Sequence, residues 1–432
     1  MTNEQGLDYL KELLKTDSVE APAKDGFPFG EGVAKCLDKA LDILKKYGFR
    51  TKNGGYYYGY GEIGEGDLFG ILTHLDVVPV GKGWTKDPFG ATEQDGKIYA
   101  RGALDDKSPF IACLIAVTKL LDEGFIPTKR VRFILGCDEE SGWQCMDAYQ
   151  KHEEMPALGI SPDGDFPVIN CEKGIVYHSF EYTKPDNIVY LKAGERANMV
   201  PDEAEAKIKI CDGVKQLLDG KDCSVEIDGE YALIKTKGVA SHGSHPEGGV
   251  NALIKLLKIL APISTVCAEV SKAFSAYDGG NVPGLKISDE QSGSLTLNLG
   301  TAKTENGKIV FELDVRHPVT YKKEYVTEKL KAALTGKVTE TFFHLPLYVD
   351  KNHVLVKTLL NAYNKVTGEN AEPVAIGGGT YARVLPVGVA FGPCFPGGNS
   401  GMHCADEYVD INEFNKSVDI YYEALKELCF KK

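Results

Sequence analysis

The chain has 432 residues, 43% of them hydrophobic and 26% charged, which is ordinary globular material, long enough for two domains that each bury a core. A formal charge of −13 with no dense Lys/Arg run argues against a nucleic-acid or anionic-membrane surface, because both depend on clustered positive charge. Met1-Thr-Asn-Glu-Gln-Gly lacks the basic start and apolar run of a secretory signal, and no stretch approaches the ~18 apolar residues of a membrane span. A cytoplasmic protein is therefore expected. Its eleven cysteines sit singly in apolar contexts such as Ile111-Ala-Cys113-Leu and nowhere form Cys-x-x-Cys, the pattern of buried, reduced thiols.

Asp8 to Lys46 reads as helical, with a loop over Ala21 to Gly30. Asp67-Leu-Phe-Gly-Ile-Leu-Thr73 and Arg130-Val-Arg-Phe-Ile-Leu-Gly136 read as buried strands that end just before polar motifs. Ser108-Pro109 offers an N-cap and first helical residue, followed by apolar positions at helical spacing. These are βαβ-type units, and in open α/β sheets function collects beyond the carboxyl ends of strands. From about Tyr177 the texture changes to short strands and paired helices: strands at Ala204 to Ile210 and Tyr231 to Thr236, a helix at Asn251 to Leu260, and a hairpin from Gly293 to Arg316 turning at Asn306-Gly307. A helix at Lys322 to Leu334 and a strand at Lys337 to Phe343 follow; after Leu347 the helix-then-strand texture returns. The expected fold class is α/β, with a mixed, mostly parallel sheet in a discontinuous domain (residues 1–175 and 347–432) interrupted by an inserted α+β domain (176–346).

Chemistry-bearing residues stand at the strand ends. His74-Leu-Asp76 follows a strand, and residues two apart on extended chain point the same way, so Asp76 can orient the His74 imidazole; alone, the pair is a chance pattern. Asp105-Asp106-Lys107 suits a carboxylate that bridges two ions, or a solvated charged turn. In Asp138-Glu139-Glu140 one glutamate can bind metal while its neighbour serves as a general base; an acidic helix cap is the bland reading. Ser161-Pro-Asp163 is turn chemistry first and a ligand second, and His403 lies in a Gly-rich loop, Gly397 to His403. Three carboxylates and two imidazoles are what two divalent, zinc-like ions with one shared oxygen ligand require. Their charges nearly cancel once a hydroxide is counted, a low-strain way to hold metal in a cleft.

In order and context these motifs resemble the di-zinc metallopeptidases of the aminoacylase and carboxypeptidase-G superfamily, most closely the peptidase V group of bacterial dipeptidases. The resemblance spans nearly the whole chain: His74-Leu-Asp76-Val-Val-Pro79, Ala100-Arg-Gly-Ala-Leu-Asp105-Asp-Lys, Asp138-Glu-Glu-Ser-Gly-Trp143, Ser161-Pro-Asp163-Gly-Asp-Phe-Pro167, Glu172-Lys-Gly174, Asn198-Met-Val-Pro201, Gly377-Gly-Gly-Thr-Tyr-Ala-Arg383 and Met402-His403. It implies that Asp105 bridges the ions, His74 and Asp163 complete one site, Glu140 and His403 the other, Asp76 orients His74, and Glu139 is the base toward a metal-bridged water. It further implies an inserted lid domain in which His242 stabilises the developing oxyanion and Asn198 and Arg316 hold the substrate carboxylate; Thr380, outside that domain and beside the Gly377 to Gly379 run, is a candidate for touching the substrate backbone. Zn2+ is the favoured ion, with Mn2+ or Co2+ possible; the partner is a small peptide, and a monomer is favoured, with a homodimer left open.

Three positions depart from the family pattern: Ser108, Cys171 and Cys404 stand where Gly, Gly and an amide side chain are usual. None removes a ligand, but Cys404 places an oxidisable thiol beside His403, which implies redox-sensitive activity. Two other functions fit the same residues: an N-acyl-amino-acid or succinyl-diamino-acid deacylase with the same centre, and a non-catalytic peptide- or metal-binding protein on a hydrolase fold. The latter has no use for an uncoordinated base such as Glu139.

Overall fold

The computed structural model describes residues 1–210, 220–398 and 401–432. Two compact units emerge. The first comprises residues 1–170, 349–374 and 380–432, and the second 171–348 and 375–379.

The first unit is built on a twisted sheet whose interior strands are apolar on both faces. Leu68–His74 is buried along its whole length and Arg130–Gly136 nearly so, as expected of parallel strands covered by helices on either side. In the sheet the strands run in the order Arg50–Asn53, Tyr58–Ile63, Arg130–Gly136, Leu68–His74, Leu158–Ser161, Gly388–Ala390 and Ile169–Glu172. Arg130–Gly136, Leu68–His74, Leu158–Ser161 and Gly388–Ala390 are mutually parallel, and the flanking strands are antiparallel. The helix Lys107–Asp122, almost all of it buried, packs between the helices Asn3–Leu14 and Ile411–Cys429. It starts one residue before the expected N-cap: Ser108 lies in its first turn and Asp106 takes the cap position without a side-chain cap bond. The Asp106 carboxylate turns instead toward the sheet, where Oδ2 accepts the main-chain N–H of His74 at 3.2 Å.

The second unit is an eight-stranded, wholly antiparallel sheet in the order Ser224–Asp228, Tyr231–Lys237, Glu203–Lys209, Ile188–Ala193, Thr296–Glu305, Lys308–His317, Gly174–Thr183 and Lys337–His344. Ala252–Leu260 and Lys323–Ala333 pack on it, giving it its own core. The hairpin turn falls at Asn306-Gly307, both at positive φ (48° and 73°), the geometry a two-residue primed turn demands. The architecture is thus an α/β unit of mixed sheet interrupted by an α+β insertion.

Candidate metal centre

Three adjacent parallel strands deliver donors at their carboxyl ends. His74 closes Leu68–His74 opposite Gly136; the chain beyond Gly136 supplies Glu139 and Glu140, and that beyond Ser161 supplies Asp163. Asp138 is consumed by the turn itself: Oδ1 accepts from the Gly142 N–H and Oδ2 from the Gln144 N–H, both at 2.8 Å, which leaves the two following glutamates available. Asp105 comes from the loop before Lys107–Asp122, and His403 from the last segment of the chain, where it adopts a left-handed φ of 60°. Asn399 and Ser400 of its Gly-rich loop lie outside the described residues.

These five residues converge. His74 Nε2 lies 2.9 Å from Asp105 Oδ1 and 3.9 Å from Asp163 Oδ2; His403 Nε2 lies 2.8 Å from Asp105 Oδ2 and 3.3 Å from Glu140 Oε2. The distances sort the donors into two sets that share Asp105, one oxygen facing each imidazole. Ligand atoms of His74, Glu139 and Asp163 also lie within 4.8 Å of one another, as do those of His74, Asp105 and Glu140. His74 Nδ1 donates to the main-chain carbonyl of Asp76 at 3.0 Å, with the Asp76 carboxylate at 3.6 Å. A carbonyl only accepts, so the proton is on Nδ1 and Nε2 is left as the donor atom for a cation. The Asp76 carboxylate accepts the Glu140 N–H at 3.0 Å and so fixes the glutamate turn.

The electrostatics are those of a cation site. Burial, then the charge of Asp105, pushes Asp163 up to about 7; burial and neighbouring carboxylates raise Glu139 well above the usual range and raise Glu140 too. Burial alone would lower His74, but Asp105 and Asp76 raise it well above its ordinary value. Hydrogen bonds to Asp105 and Glu140 lift His403 to about 11. Four carboxylates crowded around two imidazoles repel one another, and divalent cations relieve that repulsion. The set offers imidazole nitrogen and carboxylate oxygen with no thiolate, so it fits such ions.

The remaining expected site residues divide between the units. Asn198, His242 and Arg316 gather within the second. The Asn198 carbonyl accepts the Gly243 N–H at 2.7 Å; Met199 and His242 form a β-bridge; and a Cβ on Gly243 would stand 2.6 Å from Asp314 Oδ2. Arg316 is buried and forks onto Asp314 through Nε and Nη2, both at 2.7 Å, while Nη1 donates to the Gly377 carbonyl at 3.1 Å. His242 Nδ1 accepts the Ser244 main-chain N–H at 3.2 Å, so the proton of its neutral ring resides on Nε2. Thr380, in the first unit, accepts the Ala382 N–H at 3.2 Å as a cap. Asn298 escaped the sequence reading although its buried amide donates to the carbonyls on either side of Asn198, of Ala197 at 2.9 Å and Met199 at 2.8 Å. His245 is a surface residue beside Glu247. No disulfide joins any described cysteine, Cys211 lies outside the described residues, and Cys404 is exposed. Among the described residues no helix is long and apolar enough to cross a membrane.

Known proteins resemble this chain in sequence and in fold. The protein named "Putative dipeptidase YtjP" of Bacillus subtilis (strain 168) is 40% identical over 444 residues, covering 97% of this chain and 96% of its own. The fold matches the M20 family metallo-carboxypeptidase Sso-CP2 of Sulfolobus solfataricus at a TM-score of 0.59 and 21% identity, over 98% of both chains. It also matches human carnosine dipeptidase 1 at a TM-score of 0.62 and 14% identity, over 99% of this chain and 96% of that one. The sequence profile of peptidase family M20/M25/M40 extends over residues 70–427, from the strand that presents His74 to the helix beyond His403, and the chain belongs to that family of metallopeptidases.

Proposed function

We propose that this metallopeptidase is a dipeptidase that cleaves the amide bond of dipeptides or short peptides, with two divalent ions held by His74, Asp105, Glu140, Asp163 and His403. The observation that carries the reading is Asp105, whose two oxygens face two different imidazoles at 2.9 and 2.8 Å, an arrangement from which one carboxylate could serve both donor sets. The dipeptidase name of YtjP, matched over nearly both full chains, supports the substrate class. Zinc is the favoured ion, and the same donors serve manganese or cobalt.

Ions held there supply Lewis acidity, which lowers the pKa of water and polarises the scissile carbonyl. The protein's own groups do the rest. Glu139, whose proton affinity is raised by burial and by Asp163, Glu140 and Asp105, takes the proton of the attacking water and hands it to the leaving amine. Asp76 fixes the ring of His74 and the amide of Glu140. His242 offers Nε2–H to the carbonyl oxygen as negative charge builds there. Arg316, whose forked edge is held by Asp314, and Asn198 receive the substrate carboxylate, Arg316 through its positive charge and its remaining N–H groups, and Thr380 meets the peptide backbone.

The test is to strip the protein with chelator, restore Zn2+, Mn2+ or Co2+ in turn, and assay a dipeptide panel beside N-acyl amino acids. Dipeptide hydrolysis should vanish on stripping and return with an ion. Selective turnover of the N-acyl amino acids would make the protein a deacylase with the same centre, and metal uptake without turnover of either class would leave only a binding protein.

A further inference from the structure

Glu407 and Arg101 are both buried in the first unit, at 0% and 1% side-chain exposure, and neither belongs to the donor set. One oxygen of Glu407 accepts from Arg101 Nη1 at 2.6 Å. The other accepts the main-chain N–H of Leu104 at 2.9 Å and that of Asp105 at 3.3 Å. The Glu407 carbonyl accepts the Ala100 N–H at 3.1 Å, and the next residues, Tyr408–Asp410, pair with Lys97–Tyr99. Arg101 is held in turn: its main-chain N–H donates to Pro88 O at 2.8 Å, Nη2 reaches the Pro79 and Val80 carbonyls at 3.4 Å, and its guanidinium lies 5.3 Å from the centre of the Trp84 ring.

A buried ion pair is a costly way to join two loops, since both charges must leave water. A pair serving only to join them would need one carboxylate oxygen. Here the second oxygen grips the amides of Leu104 and Asp105, next to the carboxylate that faces both imidazoles. We propose that Arg101 and Glu407 form a positioning clasp for Asp105. Glu407 fixes the peptide plane from which the Asp105 side chain springs, so that one oxygen meets His74 and the other His403. Because Glu407 follows His403 by four residues, the clasp also ties Asp105 of the first segment to the stretch that carries His403. Groups that orient ligands in this way set metal affinity as well as geometry. The inference rests on the reading of Asp105 as the shared donor.

Zn2+ titrated into the chelator-stripped full chain tests it, with wild type, Asp105→Asn, Glu407→Gln and Glu407→Asp compared and the thermal midpoint of each metal-free protein read alongside. Glu407→Gln keeps the side-chain shape and one acceptor but loses the charge. It should bind Zn2+ about 10- to 100-fold more weakly, whatever the fall in the metal-free midpoint that leaving Arg101 buried without its partner brings. Glu407→Asp keeps the charge at shorter reach and should lose less. A folded Glu407→Gln protein with wild-type Zn2+ affinity overturns the clasp, as does a lowered midpoint with unchanged affinity, which would make the pair purely structural. Should Glu407→Gln not fold, Glu407→Asp decides by the same two readouts. Wild-type affinity in Asp105→Asn would instead remove the shared-donor reading, and the clasp with it.

Discussion

Glu139 and Glu140 are adjacent and chemically identical, yet the proposed function gives them different work. The main-chain N–H of Glu140 is pinned by Asp76 and its carboxylate lies 3.3 Å from His403 Nε2, so its loss should strip metal. Glu139 sits beside His74 and Asp163, and a base that must accept a proton cannot be consumed by coordination. Glu139→Ala is therefore expected to keep wild-type metal stoichiometry while kcat falls about 10²- to 10⁴-fold. Glu140→Ala should lose affinity for at least one ion. Metal analysis beside steady-state kinetics separates the two, and a Glu139→Ala protein that sheds metal as Glu140→Ala does would make Glu139 a ligand and leave the reaction without its base.

At the scale of elements, legibility followed local pattern. Leu68–His74 and Arg130–Gly136 were readable because burial on both faces writes an unbroken apolar run. Tyr58–Ile63 was not, because its Tyr-Gly-Tyr-Gly texture reads as turn. The glycines are there because the helix Glu31–Lys46 packs close: a Cβ on Gly59 would stand 2.7 Å from Leu37 Cδ1, and one on Gly61 2.9 Å from Leu44 Cδ1. The five proposed donors stand out in sequence because His74, Glu140 and Asp163 lie at or just beyond a strand end in short polar motifs, Asp105 sits in an acidic pair before a helix, and His403 closes a Gly-rich loop. Glu407 and Asn298 do not, because what they grip is backbone about 300 and 100 residues away in sequence, and no spacing announces that. Asp106 was visible as an acid, but its preference for the His74 amide over a helix cap is a tertiary effect. One element carries a pH prediction. His178, on Gly174–Thr183 against Lys323–Ala333, is buried, with Nε2 2.8 Å from the Thr327 hydroxyl. Burial first, then Lys331 and Lys323, pushes it down to about 4 against the opposing pull of Glu340. The unfolded chain takes up this proton below about pH 6.5 and the folded one only near pH 4, so stability should fall as pH drops through that window. Between pH 7 and 5 wild type should lose roughly 2 kcal/mol more than His178→Gln in urea unfolding; equal losses would show that the imidazole is hydrated in the folded state.

Over the whole molecule, the donors are unevenly distributed. His74, Asp105, Glu140 and Asp163 come from residues 1–170 and His403 from 380–432, so all five belong to the first unit, and the long insertion of residues 171–348 contributes none. The first unit is thus assembled from separated stretches of chain, two of which supply the proposed donors, while the second has a continuous sheet and a core of its own. A ligand that binds only the native state stabilises it by mass action, about 2.7 kcal/mol at 100 times its dissociation constant. That stabilisation belongs to whichever cooperative unit must open to release the ligand. Metal should therefore slow amide exchange in Leu68–His74 and Arg130–Gly136 by up to about 100-fold at that excess, while Gly174–Thr183 and Lys308–His317 exchange at the metal-free rate. Exchange measured by mass spectrometry with and without chelator reads this directly. Equal protection of all four strands would mean that the two units open as one, and protection confined to the second would place the ions elsewhere than at Asp105.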